Sequence, residues 1–166
     1  MADIVVEALP DDPAEAYPVL EQQATAVMSG ERDRVANTAN VAALLGFHLR
    51  QVNWVGFYFV RGGELVLGPF SGLPACVRIA RGRGVCGTAW AEDRTVRVED
   101  VLAFPGHIAC DPASRSEVVV PLRHDGRVVG VLDCDSPRPG RFGPMEAEFM
   151  ERIAAAVSAA CDWPEA

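Results

Sequence analysis

Tyr17, Leu20, Ala24 and Val27 recur at three- and four-residue intervals, and Val35, Thr38, Ala42, Leu45 and Leu49 do the same. Each series draws an apolar stripe down one side of a helix. Two amphipathic helices are therefore predicted, parted near Ser29-Gly30. From Asn53 the period changes. Asn53 to Val60 is rich in β-branched and aromatic residues, turns at Arg61-Gly62-Gly63-Glu64 and returns as Leu65 to Phe70, the signature of a β-hairpin. Ala75 to Ala80 and Thr95 to Glu99 read as third and fourth strands on either side of a short helix around Val85 to Ala91. Glu117 to Arg123 and Arg127 to Asp135 form a second hairpin about His124-Asp125-Gly126. Beyond a loop punctuated by Pro137, Pro139, Gly140 and Gly143, the residues Met145, Phe149, Ile153, Val157 and Ala160 define a closing helix with Pro144 in its first turn. Helices at both ends of an antiparallel sheet predict an α+β domain, and 166 residues fit a single one, 1–166.

Composition narrows the function classes. Hydrophobic residues make up 49% and charged residues 23%, a globular balance, and the apolar runs are far shorter than the ~20 residues a membrane helix needs. Net charge is -8, with no basic cluster interleaved with aromatics, so nucleic acid and anionic membranes are poor partners. Arg78, Arg81 and Arg83 read as a solvated loop rather than a phosphate site. The start, Met1-Ala2-Asp3-Ile4, has no secretory pattern, so a cytoplasmic location is expected. In that reducing compartment five cysteines, an odd count, are not expected to be structural bridges.

Three of the five, Cys76, Cys86 and Cys110, lie in or beside the densest glycine and proline punctuation of the chain. Asp111-Pro112 reads as a helix cap with proline in the first position, which would put Cys110 ahead of a helical turn whose N–H groups favour the thiolate. Arg115 would assist and Asp111 oppose; an inert buried thiol is the alternative. No Cys-x-x-Cys and no His pair at ligand spacing occur, so no metal site is expected. Thiols on separate loops suit instead a cycle in which one is oxidised and another resolves it as a disulfide. Cys134, among valines, and Cys161, at the end of the last helix, read as packing residues. A Cys110–His107 hydrolytic pair lacks a recognisable orienting group.

Alternation along a strand puts Asp133 and Asp135 on one face with Val129 and Val131, and Cys134 on the other with Val128 and Leu132. Such a strand is apolar on both sides and central, and acids at its end would be partly buried, holding protons near neutrality. Solvated strand-end acids are the bland alternative. Glu117 joins them only in a particular register. A two-residue Asp125-Gly126 loop would set it opposite Cys134, on the wrong face, whereas a three-residue His124-Asp125-Gly126 loop would set it opposite Asp133; the second is expected here. Trp54 and Tyr58, on one strand face, are candidates for an aromatic wall.

Leu67-Gly68-Pro69-Phe70, Pro74-Ala75-Cys76-Val77-Arg78-Ile79, Gly82-Arg83-Gly84-Val85-Cys86-Gly87-Thr88-Ala89, Pro105-Gly106-His107-Ile108-Ala109-Cys110-Asp111, Ser114-Arg115-Ser116-Glu117 and Gly130-Val131-Leu132-Asp133-Cys134-Asp135-Ser136 together resemble the GAF-domain free methionine-(R)-sulfoxide reductases. The likeness runs from Asn53 to Phe142. It implies a sheet of about six antiparallel strands, terminal helices on one face and a loop-roofed pocket on the other. It further implies Cys110 as nucleophile, Cys76 as the main resolving thiol and Cys86 as a secondary one. Glu117, Asp133 and Asp135 would grip the substrate ammonium and the sulfoxide oxygen, with Trp54 against the S-methyl. No bound cofactor is implied; thioredoxin, fed by NADPH through thioredoxin reductase, would be the reductant, and a homodimer is allowed. Cys134 and Leu73 depart from the family's usual aliphatic residue and lysine. Thiol attack on a sulfoxide needs its oxygen protonated as the S–O bond breaks, so thiols plus protonatable acids are a fitting set. A non-catalytic GAF sensor fused to an output domain, and a cysteine hydrolase or peroxidase, are the competing readings.

Overall fold

A computed structural model of the chain describes residues 6–106 and 111–164. The two N-terminal stripes form α1 (Pro13–Val27) and α2 (Arg34–His48). Each is started by an aspartate whose carboxylate accepts from backbone N–H groups of the first turn, Asp12 from Ala14 and Asp33 from Val35 and Ala36. Then come β1 (Trp54–Arg61), β2 (Glu64–Ser71), β3 (Arg78–Ala80), α3 (Gly84–Glu92), β4 (Val96–Val98), a 3-10 turn (Val101–Ala103), β5 (Ser116–His124), β6 (Arg127–Ser136) and α4 (Pro144–Ala160). Pro144 opens α4, and Glu146 reaches back to accept from the Gly143 N–H at 2.8 Å. Every expected element is present; β3 is shorter than Ala75 to Ala80 because only three residues pair with β2.

The six strands form one antiparallel sheet in the order β3-β2-β1-β6-β5-β4. Alternation divides its two faces. Val55, Phe57, Phe59, Val118, Val120, Leu122, Leu132 and Cys134 turn toward α1, α2 and α4 and form the larger core with Leu20, Leu45, Phe149 and Ile153. The other face carries Trp54, Tyr58, Val119 and Val131 and is covered by α3. Cys134 is thus on the helix side, as alternation predicts, and Cys161 is buried in the same core, accepting from Asn37 Nδ2 at 3.7 Å.

The β5–β6 register departs from expectation. The turn is the two-residue Asp125-Gly126, both at positive φ, which pairs His124 with Arg127. Between Leu122 and Arg123 the pairing slips, so that Leu122 faces Gly130 while Arg123 faces Val128. Val129 is the extra residue of a bulge. One inserted residue reverses the parity that the tight turn alone would impose, so Glu117 returns to the face of the aspartates. It pairs with Asp135, not Asp133, which faces Val119. The same bulge moves Val129 into the helix-side core, away from the carboxylate face expected for it, and sends Val128 to the other face.

Helix α3 packs tightly on the end of β3. A Cβ on Gly87 would lie 2.5 Å from the Ala80 carbonyl oxygen, a backbone atom that cannot swing aside. Gly87→Ala is therefore expected to cost roughly 1–3 kcal/mol of stability, read by denaturant unfolding. Wild-type stability in that variant would show that α3 is free to shift.

Candidate functional site

Strands β1, β6 and β5 lie side by side, and β6 and β5 bring their acids to one end of the sheet. Asp133 sits between Gly56 and Val119, and Asp135 between Trp54 and Glu117. Gly56 has no side chain to fill the space above it. A Cβ there would strike Phe70 and Trp54, so the missing methyl lets the aromatic wall close over the acids. Trp54 stacks on Phe70 at 5.4 Å and on Tyr58 at 5.9 Å between ring centroids. Both polar tips turn outward to the cysteine loop: Trp54 Nε1 donates to the Leu73 carbonyl at 3.1 Å, and Tyr58 Oη donates to the Cys76 carbonyl at 3.0 Å.

Cys86 enters from α3, the short helix expected around Val85 to Ala91, and it is buried. Its thiol donates to Asp133 Oδ2 at 3.2 Å and lies 4.0 Å from Glu117 Oε1. A cysteine in the first turn of a helix is ordinarily acidified. Here burial, followed by the charge of Asp133 and Glu117, pushes the thiol well above its ordinary value. Burial dominates among the acids too. Glu117 and Asp133 are each 6% exposed. Glu117 is raised well above the usual carboxylate range by burial and then by the charge of Asp133, while Asp135 is raised by burial, Asp133 and Asp111 in that order. Asp133 rises to about 7 through burial, held back by hydrogen bonds from Cys86 and Glu117. The cluster therefore keeps protons at neutrality. Burial and proximity to Asp133 likewise raise the Tyr58 phenol, which stays protonated. Asp133 Oδ1 is buried without a hydrogen-bond partner among the described residues.

Trp54, Tyr58, Cys86, Glu117, Asp133 and Asp135 thus line one pocket, together with Pro74, Ala75, Arg83, Asp111 and Ser114. Cys76, the neighbour of Ala75, is half-buried and disulfide-bonded. Cys110 and His107 lie outside the described residues. The helical turn expected after Cys110 is a single turn: Asp111 Oδ1 accepts from Ala113 N–H at 2.8 Å, and Ser114 N–H reaches the Asp111 carbonyl at 3.2 Å. No helix follows, because the chain enters β5 at Ser116. Arg115 pairs with Asp100 at 3.1 Å and holds that carboxyl below its ordinary value. Of the three loop arginines, Arg78 pairs with Glu64, Arg81 lies over the Trp90 ring, and Arg83 is exposed at the pocket rim.

Sequence reasoning missed Asn53. Its Nδ2 donates to Asp111 Oδ2 at 2.8 Å and Ser114 Oγ at 3.0 Å, and its backbone N–H donates to the Asp135 carbonyl at 3.0 Å. It ties the segment that follows Cys110 to the end of β6. Its only signal was an amide at the mouth of a predicted strand.

A six-stranded antiparallel sheet with helices packed on one face and an enclosed pocket on the other defines a GAF domain, and a GAF-domain family model matches residues 19–161. Protein YtsP of Bacillus subtilis is 54% identical over 151 residues, covering 90% of this chain and 93% of its own. The free methionine-R-sulfoxide reductase of Escherichia coli is 48% identical over 141 residues, with 85% and 86% covered. The free methionine-R-sulfoxide reductase of Neisseria meningitidis, solved in complex with its substrate, superposes with a TM-score of 0.92 at 45% identity, covering 95% of both chains. The chain belongs to the GAF-domain free methionine-R-sulfoxide reductase family. No described helix is long and apolar enough to cross a membrane.

The raised acids fix the sign of a pH effect. A carboxyl whose folded value lies above its unfolded value of about 4 binds its proton more tightly in the native state. Its contribution is complete below about pH 4 and is lost as pH rises through about 7. Asp133→Asn is accordingly expected to stabilise the fold at pH 8 by roughly 1–3 kcal/mol, and by much less at pH 5. Denaturant titrations at the two pH values check this, and an equal effect at both would mean that Asp133 ionises normally.

Proposed function

We propose that this chain reduces free L-methionine (R)-sulfoxide to methionine, with Cys110 as nucleophile. The observation that carries the reading is the group of three proton-holding acids, buried Glu117 and Asp133 with half-buried Asp135, facing an aromatic wall in one pocket. It is supported by the relatives of that name, which span most of this chain.

The Cys110 sulfur attacks the sulfoxide sulfur while an acid of the cluster protonates the oxygen. A bond forms between the two sulfurs as the S–O bond breaks and the oxygen leaves as water; water then attacks the Cys110 sulfur, the S–S bond breaks, methionine leaves, and Cys110 is left as a sulfenic acid. The resolving thiol then displaces water to form a disulfide, and a thioredoxin dithiol reduces it with electrons from NADPH through thioredoxin reductase. Cys76 suits the resolving role better than Cys86, because Cys86 is buried and its thiol proton is held by Asp133. The cycle fits a reducing cytoplasm. The ammonium of a free amino acid matches the remaining negative charge of Glu117, Asp133 and Asp135, and a peptide-bound residue lacks that cation. Trp54 and Tyr58 form the apolar side for the S-methyl group.

NADPH consumption with thioredoxin and thioredoxin reductase tests the reading on the free (R) epimer, the (S) epimer and an N-acetylated form. Turnover is expected on the free (R) epimer alone and is lost in Cys110→Ser. Folded, reduced protein that turns over none of them would overturn the reductase in favour of a binding module. Asp133→Asn is expected to lower kcat by at least roughly 100-fold, and to remove the decline of wild-type kcat/KM above about pH 7. An unchanged alkaline limb would remove Asp133 from the proton-donating group.

A further inference from the structure

We propose that Cys86, Glu117 and Asp133 form a binding site for one zinc ion at the floor of the pocket. The three come from α3, β5 and β6, and one ligand atom of each lies within 4.8 Å of the others, all from buried residues. The Cys86 Sγ to carboxylate oxygen distances, 3.2 Å to Asp133 and 4.0 Å to Glu117, bracket the spacing of about 3.5 Å expected of sulfur and oxygen on one tetrahedral zinc ion.

A second, independent observation points to a cation. Asp133 lines the pocket, and its buried Oδ1 has no hydrogen-bond partner among the described residues, which is costly unless a donor or an ion satisfies it. Among the described residues no arginine, lysine or histidine pairs with Glu117, Asp133 or Asp135. The adjoining space of ≈ 40 Å³ has room for a water at an open fourth position. The thiol selects the metal. Sulfur with two carboxylates suits zinc and cobalt, whereas magnesium and calcium require shells of oxygen. On binding, the Cys86 S–H bond is replaced by a sulfur–metal bond and the proton leaves to solvent. The expectation of no metal site rested on spacing along the chain, which does not report on ligands from three separate elements. One consequence rests on the proposed reductase reading: an ion held by Glu117 and Asp133 occupies the groups that would bind the sulfoxide, so zinc and substrate exclude one another.

The test uses reduced, metal-free protein carrying Cys76→Ser and Cys110→Ser, so that loop thiols cannot bind metal. Cobalt is expected to bind one ion per chain with a thiolate-to-cobalt charge-transfer band, which zinc bleaches and magnesium does not. Adding Cys86→Ser removes the band, and Asp133→Asn weakens cobalt binding by at least roughly 10-fold with the circular dichroism of the fold unchanged. No band at stoichiometric cobalt, or a band that survives Cys86→Ser, overturns the proposal. Free methionine (R)-sulfoxide is expected to weaken cobalt binding. A protein that turns over no sulfoxide yet keeps the Cys86-dependent band retains the metal site and loses only the substrate reading.

Discussion

The constraint on which the pocket depends is the lateral register of three strands. Glu117, Asp133 and Asp135 are gathered because β5, β6 and β1 are hydrogen-bonded neighbours, with Glu117 directly opposite Asp135. Gathering acids in a place that water scarcely reaches opposes folding, since burial and mutual charge both disfavour ionisation. Holding protons and hydrogen-bonding among themselves and to Cys86 relieves part of this. The rest is offset elsewhere. The helix-side core puts Phe57, Leu132, Phe149, Ile153 and Leu45 entirely out of solvent, each worth roughly 1.5–3 kcal/mol. One face of the sheet stabilises the domain while the other keeps groups in a state that bulk water would not allow.

The division is also spatial. Cys134 and Asp133 are adjacent in the chain, yet the first is a packing residue and the second a proton-holding acid, because alternation sends them to opposite faces. Chemistry and packing can therefore vary separately along the same strand. That accounts for how a thiol can stand between the two aspartates without entering the pocket.

Patterning of apolar residues was enough to read the helices, the strands and the two-faced sheet, because those depend on local periodicity. The carboxylates were legible for the same reason. The register was not. The sequence suggested that either a two- or a three-residue turn would decide the face of Glu117, and the fold uses the shorter turn with a bulge at Val129 instead. A bulge arises from twist and packing across strands, and nothing in Arg127-Val128-Val129-Gly130 marks which residue will be extra. Cys86 falls in the short helix expected around Val85 to Ala91, where Gly84 and Gly87 permit the helix to start and to lie close against Ala80. Asn53 escaped notice because its partners, Asp111 and Ser114, are far along the chain and meet it only once the sheet has formed.

The same cross-chain contacts couple the pocket wall to the loop that carries Cys76. Trp54 and Tyr58 leave β1 with their rings over the acids and their polar tips bonded to the carbonyls of Leu73 and Cys76. A ligand pressed against these rings cannot shift them without disturbing those two bonds, and movement of the loop cannot leave the rings in place. The phenol remains a donor because burial and the nearby acids keep it protonated. The acids thus act twice: directly on whatever occupies the pocket, and through Tyr58 on the backbone beside a cysteine. Strand register, aromatic wall and cysteine loop form one mechanical unit, which is why a GAF sheet suited to enclosing a small ligand can also hold thiols close to it.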